Sequence, residues 1–200
     1  MGEGFMDNPE QISMSADEFL VWIEAQDQRH ELVDGVPVRL MAGVKQSHAV
    51  VCSNILVALA SPARRNGCRA TSKKTAVRTG PRGIRYPDVV VDCGPFSPSA
   101  REASRPVLVV EVSSPHTSNL DITDKLDEYR AHPDLRLILL VEPDIVAAKL
   151  YRRHPEGNWD VEGYDALDQS LDLPEIGASL SLRDVYDTLS PKLQPDPRVI

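Results

Sequence analysis

Two hundred residues, 42% hydrophobic and 26% charged, suffice for one soluble globular domain with a real core. No apolar run reaches the roughly 18 residues of a membrane span, and the opening MGEGFMDNPE has neither the basic nor the apolar part of a signal peptide, nor a Ser or Thr in place of Met6 for myristoylation. A net charge of −8 argues against a generic nucleic-acid coat, and three cysteines without zinc spacing, Cys52, Cys68 and Cys93, read as small buried hydrophobes in the reducing cytoplasm.

Residues 1–14 lack periodicity and are expected to be disordered, leaving a single domain over residues 15–190. Ser15 with Glu18 forms a capping-box pattern, and Phe19, Leu20 and Ile23 give the following helix, Ala16 to Ala25, an apolar stripe. His30 to Val33, then Asp34-Gly35, then Val36 to Met41 read as a hairpin with a primed turn; Pro37 places its second strand at an edge or bulge. From Gln46, Val51, Ile55 and Leu59 recur every four residues, with Leu56 widening the stripe, until Pro62 and Asn66-Gly67 stop this second helix. Cys68 to Thr79 alternates as a strand, and Gly80 to Gly83 turns it into the strand that carries Asp88.

The stretch 94–106, rich in Pro, Ser and Arg, is expected to be an exposed loop. An Asp121 or Thr123 cap opens a helix with Ile122, Leu126 and Tyr129 on its apolar face, ending at His132-Pro133. Leu135 to Glu142 reads as a buried strand with Ile145 to Arg153 as its antiparallel partner, and Trp159 to Tyr164 as an edge strand. Ser181 caps a last helix bearing Leu182, Val185, Tyr186 and Leu189, before a Pro-rich tail, residues 191–200, expected to be disordered. The order implies an α/β fold, one mixed sheet flanked by helices with additional antiparallel strands.

Charge is unevenly placed. Gly35 to Pro87 holds ten of the 22 basic residues and no Asp or Glu, so it carries +10 and the rest of the chain −18. Eight of the ten, Arg64, Arg65, Arg69, Lys73, Lys74, Arg78, Arg82 and Arg85, crowd before Asp88. Phosphate affinity comes mainly from Lys and Arg while hard metal ions need carboxylates, so this suits a site for a polyanion; a solvated basic surface is the other reading.

Two apolar strands each contain a carboxylate: YPDVVVD with Asp88, and VLVVEVS with Glu111. In the second, Val107, Val109, Glu111 and Ser113 share one face and Leu108, Val110 and Val112 the other, so Glu111 stands where apolar residues belong. A buried carboxylate costs several kcal/mol unless a cation, donors or a metal compensates it. Two close together suggest one shared compensator, although separate ion pairs, with Arg85 or Arg105 for instance, fit the residues as well.

Pro87-Asp88 followed 23 positions later by Glu111 resembles the signature of the PD-(D/E)XK nuclease superfamily. More closely, the chain resembles its Uma-type (DUF-type) branch of putative restriction endonucleases, through HELVDG at His30 to Gly35, His48, YPDVVV at Tyr86 to Val91, VVEVSSP at Val109 to Pro115, and Asp121, Lys125 and Tyr129 at spacings of four. The resemblance implies that Asp88 and Glu111, joined by Glu31, bind Mg²⁺ or Mn²⁺. The superfamily lysine two residues after Glu111 is absent, since Ser113 stands there, and within this branch its role passes to Lys125. A helical lysine can reach the site on its long stem; from the residues alone, an ordinary salt bridge with Asp121 or Glu128 is the plainer reading.

The reading is therefore a Mg²⁺-dependent endonuclease acting on DNA in the cytoplasm, with Asp88, Glu111 and Lys125 catalytic and Lys73, Lys74, Arg78, Arg82 and Arg85 gripping the nucleic acid, and a homodimer as the plausible assembly. The rivals are a catalytically inactive nuclease-fold module that binds nucleic acid or regulates, motivated by Ser113, and a structural protein whose carboxylates are ordinary ion pairs. Lone histidines such as His30, His48 and His116 are read as hydrogen-bonded structural residues.

Overall fold

Ser15 accepts the Glu18 N–H while Glu18 returns to the Ser15 N–H, a complete capping box, and the helix it starts, α1 (Ala16–Trp22), runs into a short 3-10 turn over Ile23–Ala25. The computed structural model describes residues 13–40, 43, 45–113 and 119–193, the side chains of 119–121 excepted. The N-terminal residues 1–12, the tail from 194, His116 and the Asp121 side chain lie outside the described residues, so the expectations placed on them are not addressed.

After α1 the chain makes a hairpin, β1 (His30–Val33) and β2 (Val36–Arg39), with Asp34 and Gly35 both at positive φ, 46° and 81°, as a primed turn requires. Then come α2 (Gln46–Arg65), β3 (Arg69–Ser72), β4 (Val77–Gly80), β5 (Gly83–Arg85), β6 (Val89–Asp92), β7 (Pro106–Val112), α3 (Asn119–Ala131), β8 (Leu137–Glu142), β9 (Ala147–Arg153), β10 (Trp159–Tyr164), β11 (Ser170–Leu173), β12 (Ala178–Ser181) and α4 (Leu182–Val185). The strands form a mixed six-stranded sheet in the order β10-β9-β8-β7-β6-β3, a four-stranded sheet β2-β1-β5-β4, and a small pair β11-β12. Pro37, on β2, does sit on an edge strand. Among the described strands, only β7 and β8 pair in parallel, with α3 as their crossover.

The core divides along the six-stranded sheet. Val51, Ile55, Leu59 and Ala63 of α2 pack with Val89, Val91, Leu108, Val110, Leu137 and Leu139, and the β11-β12 pair and α4 close the same face. Val90, Val109 and Ile138, one residue out of phase, meet Leu126 and Tyr129 of α3 on the other. A third cluster joins Phe19 and Leu20 of α1 to Leu32, Ala76 and Ile84, fastening the four-stranded sheet.

Several expectations need correcting. The alternating run from Cys68 to Thr79 is two strands in different sheets, divided by a turn at Lys73 to Thr75 in which Lys74 and Thr75 N–H groups both reach the Ser72 carbonyl. The segment carrying Asp88 likewise splits: β5 pairs with β1, whereas β6 begins after Asp88 and pairs with β3 and β7. Pro62 does not stop α2, which runs to Arg65 before Gly67 turns away at φ 74°. Helix α3 begins at Asn119, earlier than either cap residue expected for it, and α4 stops at Val185 without reaching Leu189. The strand pair β11-β12 was not foreseen. Finally, Cys68 and Cys93 are joined in a disulfide, not held as free thiols: the Arg69↔Asp92 pairing brings the flanking cysteines opposite, Cα–Cα 4.1 Å, and leaves Cys52 free and buried. No helix among the described residues is long and apolar enough to cross a membrane.

Candidate active site

Glu111 enters from β7, near the centre of the six-stranded sheet, and Asp88 from the residue just before its neighbour β6. Glu31 comes from β1, whose pairing with β5 through Leu32↔Ile84 sets it beside Arg85 and Tyr86. Across β7 from the sheet, α3 presents Lys125, Glu128 and Tyr129. Two sheets and one helix therefore deliver three carboxylates to one region, each strand doing so because its apolar residues are committed to the core on either side.

Asp88 is 8% exposed. Its Oδ1 lies 3.0 Å from Lys73 Nζ, and its Oδ2 lies 3.3 Å from His48 Nε2 and accepts the Val112 N–H at 2.8 Å. Burial alone would raise its pKa, but the His48 hydrogen bond, the Lys73 charge and the Val112 N–H outweigh it and bring the carboxyl down to about 2. Lys73 reaches Asp88 because Ser72 pairs with Val89, so the first residue of the turn stands directly across from the residue before β6. His48, read from the sequence as a hydrogen-bonded structural histidine, is hydrogen-bonded, but its partner is Asp88.

Glu111 behaves in the opposite way. Its Oε1 accepts the Tyr129 hydroxyl at 2.7 Å and lies 3.8 Å from Lys125 Nζ, while no hydrogen bond reaches Oε2 from a described residue. Burial raises its pKa, and the charges of Asp88 and Glu31 add to that; Lys125 and Tyr129 offset only part, leaving it raised to about 7. The same burial and the neighbouring Glu111 push the Tyr129 phenol well up, so it stays a donor. Two nearby carboxyls driven apart in this way mark a site where charge or protons are handled.

Glu31 is held hardest. It accepts from Tyr86 N–H at 3.0 Å and Arg85 Nη1 at 3.0 Å, with Lys125 Nζ 3.3 Å from each of its oxygens. Lys125 and Arg85, with Tyr86, overcome the penalty of burial and lower its pKa. Arg85, expected to grip phosphate, is instead 1% exposed and gripped at both edges, by Glu31 and by a bidentate Glu128 at 2.8 and 2.5 Å. Arg78 is committed to Glu102 and Asp17, and Arg82 to Asp34 beside the β1-β2 turn. Of the five basic residues expected to meet nucleic acid, Lys73 of the β3-β4 turn faces Asp88, and its neighbour Lys74 is exposed. Sequence reasoning missed Lys73 as the partner of Asp88 and Glu128 as that of Arg85; the spacing of Lys125 and Glu128, one helical turn apart, was the available signal.

Beside Glu111 and Lys125 opens a cleft of about 320 Å³ at the carboxyl ends of β7 and β8, walled by Leu126, Ile138, Leu140 and Tyr151. Crevices at that end of parallel strands are where open α/β sheets bind ligands. For a metal ion the carboxylates fit. The donors are all oxygen, Glu111 has an oxygen open toward the cleft, and Asp88 Oδ1 already selects a cation, the ammonium of a partly exposed lysine. His48, Cys52 and Asp88 also offer ligand atoms within 4.8 Å of one another. That trio suits an ion poorly: Nδ1 of His48 faces Cys52 at 3.4 Å and Nε2 faces Asp88, so one ion cannot use all three, and burial first, then Asp88, pushes the thiol up to about 12.

A crystal structure of a putative nuclease belonging to DUF820 from Anabaena variabilis superposes with a TM-score of 0.68 over 86% of this chain and 97% of that one, at 20% identity, so the two chains share a fold. An uncharacterized Synechocystis protein, slr1290, is 30% identical over 179 residues, 88% of this chain and 93% of its own. Residues 16–184 match the Uma2 family model, described as a putative restriction endonuclease, and the chain belongs to that family. Fold and family together support a nuclease, within the resemblance drawn from Asp88, Glu111 and Lys125.

Proposed function

We propose that the protein is an endonuclease that hydrolyses DNA phosphodiester bonds with Mg²⁺, or Mn²⁺ in its place. The observation that carries this is the gathering of Glu31 and Glu111 about Lys125, whose ammonium lies 3.3 Å from Glu31 and 3.8 Å from Glu111, with Asp88 close enough that its charge acts on Glu111. Asp88 and Glu111 would hold the ion, with Glu31 beside them; when bound, it supplies an acidified water and neutralises phosphate charge. The chain's own residues do the rest. Lys125 orients the attacking water and offsets charge building on the phosphate, the work a lysine at Ser113 would otherwise do. Ser113 itself donates to Glu142 at 2.7 Å. Lys73 and Lys74 meet the backbone beside the scissile bond, and such contacts position without reading sequence.

A homodimer would bring one site to each strand of a duplex. The test is nicking of supercoiled plasmid by the purified protein in Mg²⁺, Mn²⁺ or EDTA, with Asp88→Ala and Lys125→Ala in parallel. Metal-dependent nicking lost in both variants is the expected result. Metal binding with no nicking of plasmid by the wild type would replace this reading with the inactive module.

A further inference from the structure

Glu31 is surrounded differently from the other two carboxylates. A carboxylate offers about four lone-pair directions, and those of Glu31 are taken: Tyr86 N–H and Lys125 at Oε1, Arg85 and Lys125 at Oε2. Its side chain is 3% exposed, against 20% for Glu111 and 11% for Asp88. Mg²⁺ gives up its waters reluctantly and is usually held by one or two carboxylates with several waters retained. A position this enclosed has no room for those waters, and ligation would require expelling Lys125 or the buried Arg85 guanidinium.

The neighbours extend the pattern into a closed ring of charge. Lys125 and Glu128 lie one turn apart on α3. Lys125 bonds Glu31, Glu31 bonds Arg85, and Arg85 returns to Glu128, which also accepts the Thr79 hydroxyl at 2.7 Å. The ring bolts one face of α3 to β1, β4 and β5, and in doing so fixes where the Lys125 ammonium stands relative to Glu111.

We infer that Glu31 is not a metal ligand but the positioning residue for Lys125, with Arg85 and Glu128 as its support. This rests on the nuclease reading for the task of Lys125, while the arrangement itself can be tested without cleavage. An isosteric Glu31→Gln keeps shape and the Tyr86 contact but removes the charge that holds Lys125, and Glu128→Gln loosens the ring one step further away.

The experiment measures Mn²⁺ affinity by calorimetry and the reductive-methylation rate of Lys125 by peptide mapping, on the wild type, Glu31→Gln, Glu128→Gln and Asp88→Asn, each checked for folding by circular dichroism. Expected is a loss of Mn²⁺ affinity of about tenfold or more in Asp88→Asn, but about threefold or less in Glu31→Gln, with faster Lys125 methylation in Glu31→Gln and a smaller increase in Glu128→Gln. In plasmid cleavage, Glu31→Gln should lower kcat by about tenfold or more and leave the KM for DNA nearly unchanged. Loss of Mn²⁺ affinity in Glu31→Gln equal to that in Asp88→Asn, or Lys125 methylation unchanged by Glu31→Gln, would overturn the assignment. A wild type that binds Mn²⁺ but cuts nothing would remove the nuclease reading and still leave the anchor decided by the methylation rates.

Discussion

Glu31 and Asp88 are both buried carboxylates facing lysines, yet their surroundings differ in kind. Around Glu31 the partners are a buried arginine, a backbone N–H and a helical lysine, with the arginine tied onward to Glu128. Around Asp88 one oxygen is fixed by His48 and Val112, while among the described residues the other meets Lys73, whose side chain is 29% exposed and sits on a turn. The first arrangement holds the fold and a lysine in place. The second keeps one oxygen within reach of something arriving from solvent, and the lesson is that exposure of the partners, more than the acid itself, separates a support from a site.

Substitutions can break that contrast, and the largest effect is expected at Asp88. Asp88→Ala should lower plasmid nicking by on the order of 10³-fold or more, since the metal-assisted step loses its holder. Arg85→Ala should act on the fold instead: removing the buried guanidinium that Glu31 and Glu128 share costs about 3–5 kcal/mol, read as a lower urea midpoint. Opening the Cys68–Cys93 bond with Cys93→Ser releases a 25-residue separation and should cost about 3 kcal/mol by chain entropy, read in the same titration. Tyr129→Phe leaves Glu111 Oε1 without its 2.7 Å donor and should cost about 1–3 kcal/mol.

The smallest effect concerns pH. Asp92, on the strand that follows Asp88, accepts N–H groups of Arg105 and Gly94 and a bond from Arg69. Burial raises its pKa, but these donors together lower it. A carboxyl lowered in the folded state contributes stability that is present above its unfolded pKa and is lost as pH falls through the folded one. The melting temperature should therefore fall on acidification below the ordinary aspartate range, and less steeply in Asp92→Asn.

Much of the fold was legible because its signals are local. The Ser15–Glu18 box, the Asp34-Gly35 turn and the four-residue stripe of α2 each depend on neighbours in sequence, and each forms where expected. The break between β3 and β4 was not legible: Lys73-Lys74-Thr75 contains no Gly or Pro, and the chain bends there because Ala76 bridges Glu102 and Lys73 meets Asp88. In the site, the sequence named Glu31, Asp88, Glu111 and Lys125, which the structure gathers into one region. It misjudged Arg85, because a run of basic residues does not reveal which of them face inward; pairing of β5 with β1 decides that, and sets Arg85 against Glu31, 54 positions away.

The β3-β6 ladder is fastened unequally. Its Arg69↔Asp92 end is closed by the disulfide, and its Ser72↔Val89 end has the Lys73–Asp88 ion pair beside it and no covalent link. Since β3 is the last strand of the six-stranded sheet, fraying can start only where no covalent link stands. The edge therefore peels from the Asp88 end, and amide hydrogens near Ser72 should exchange before those near Arg69.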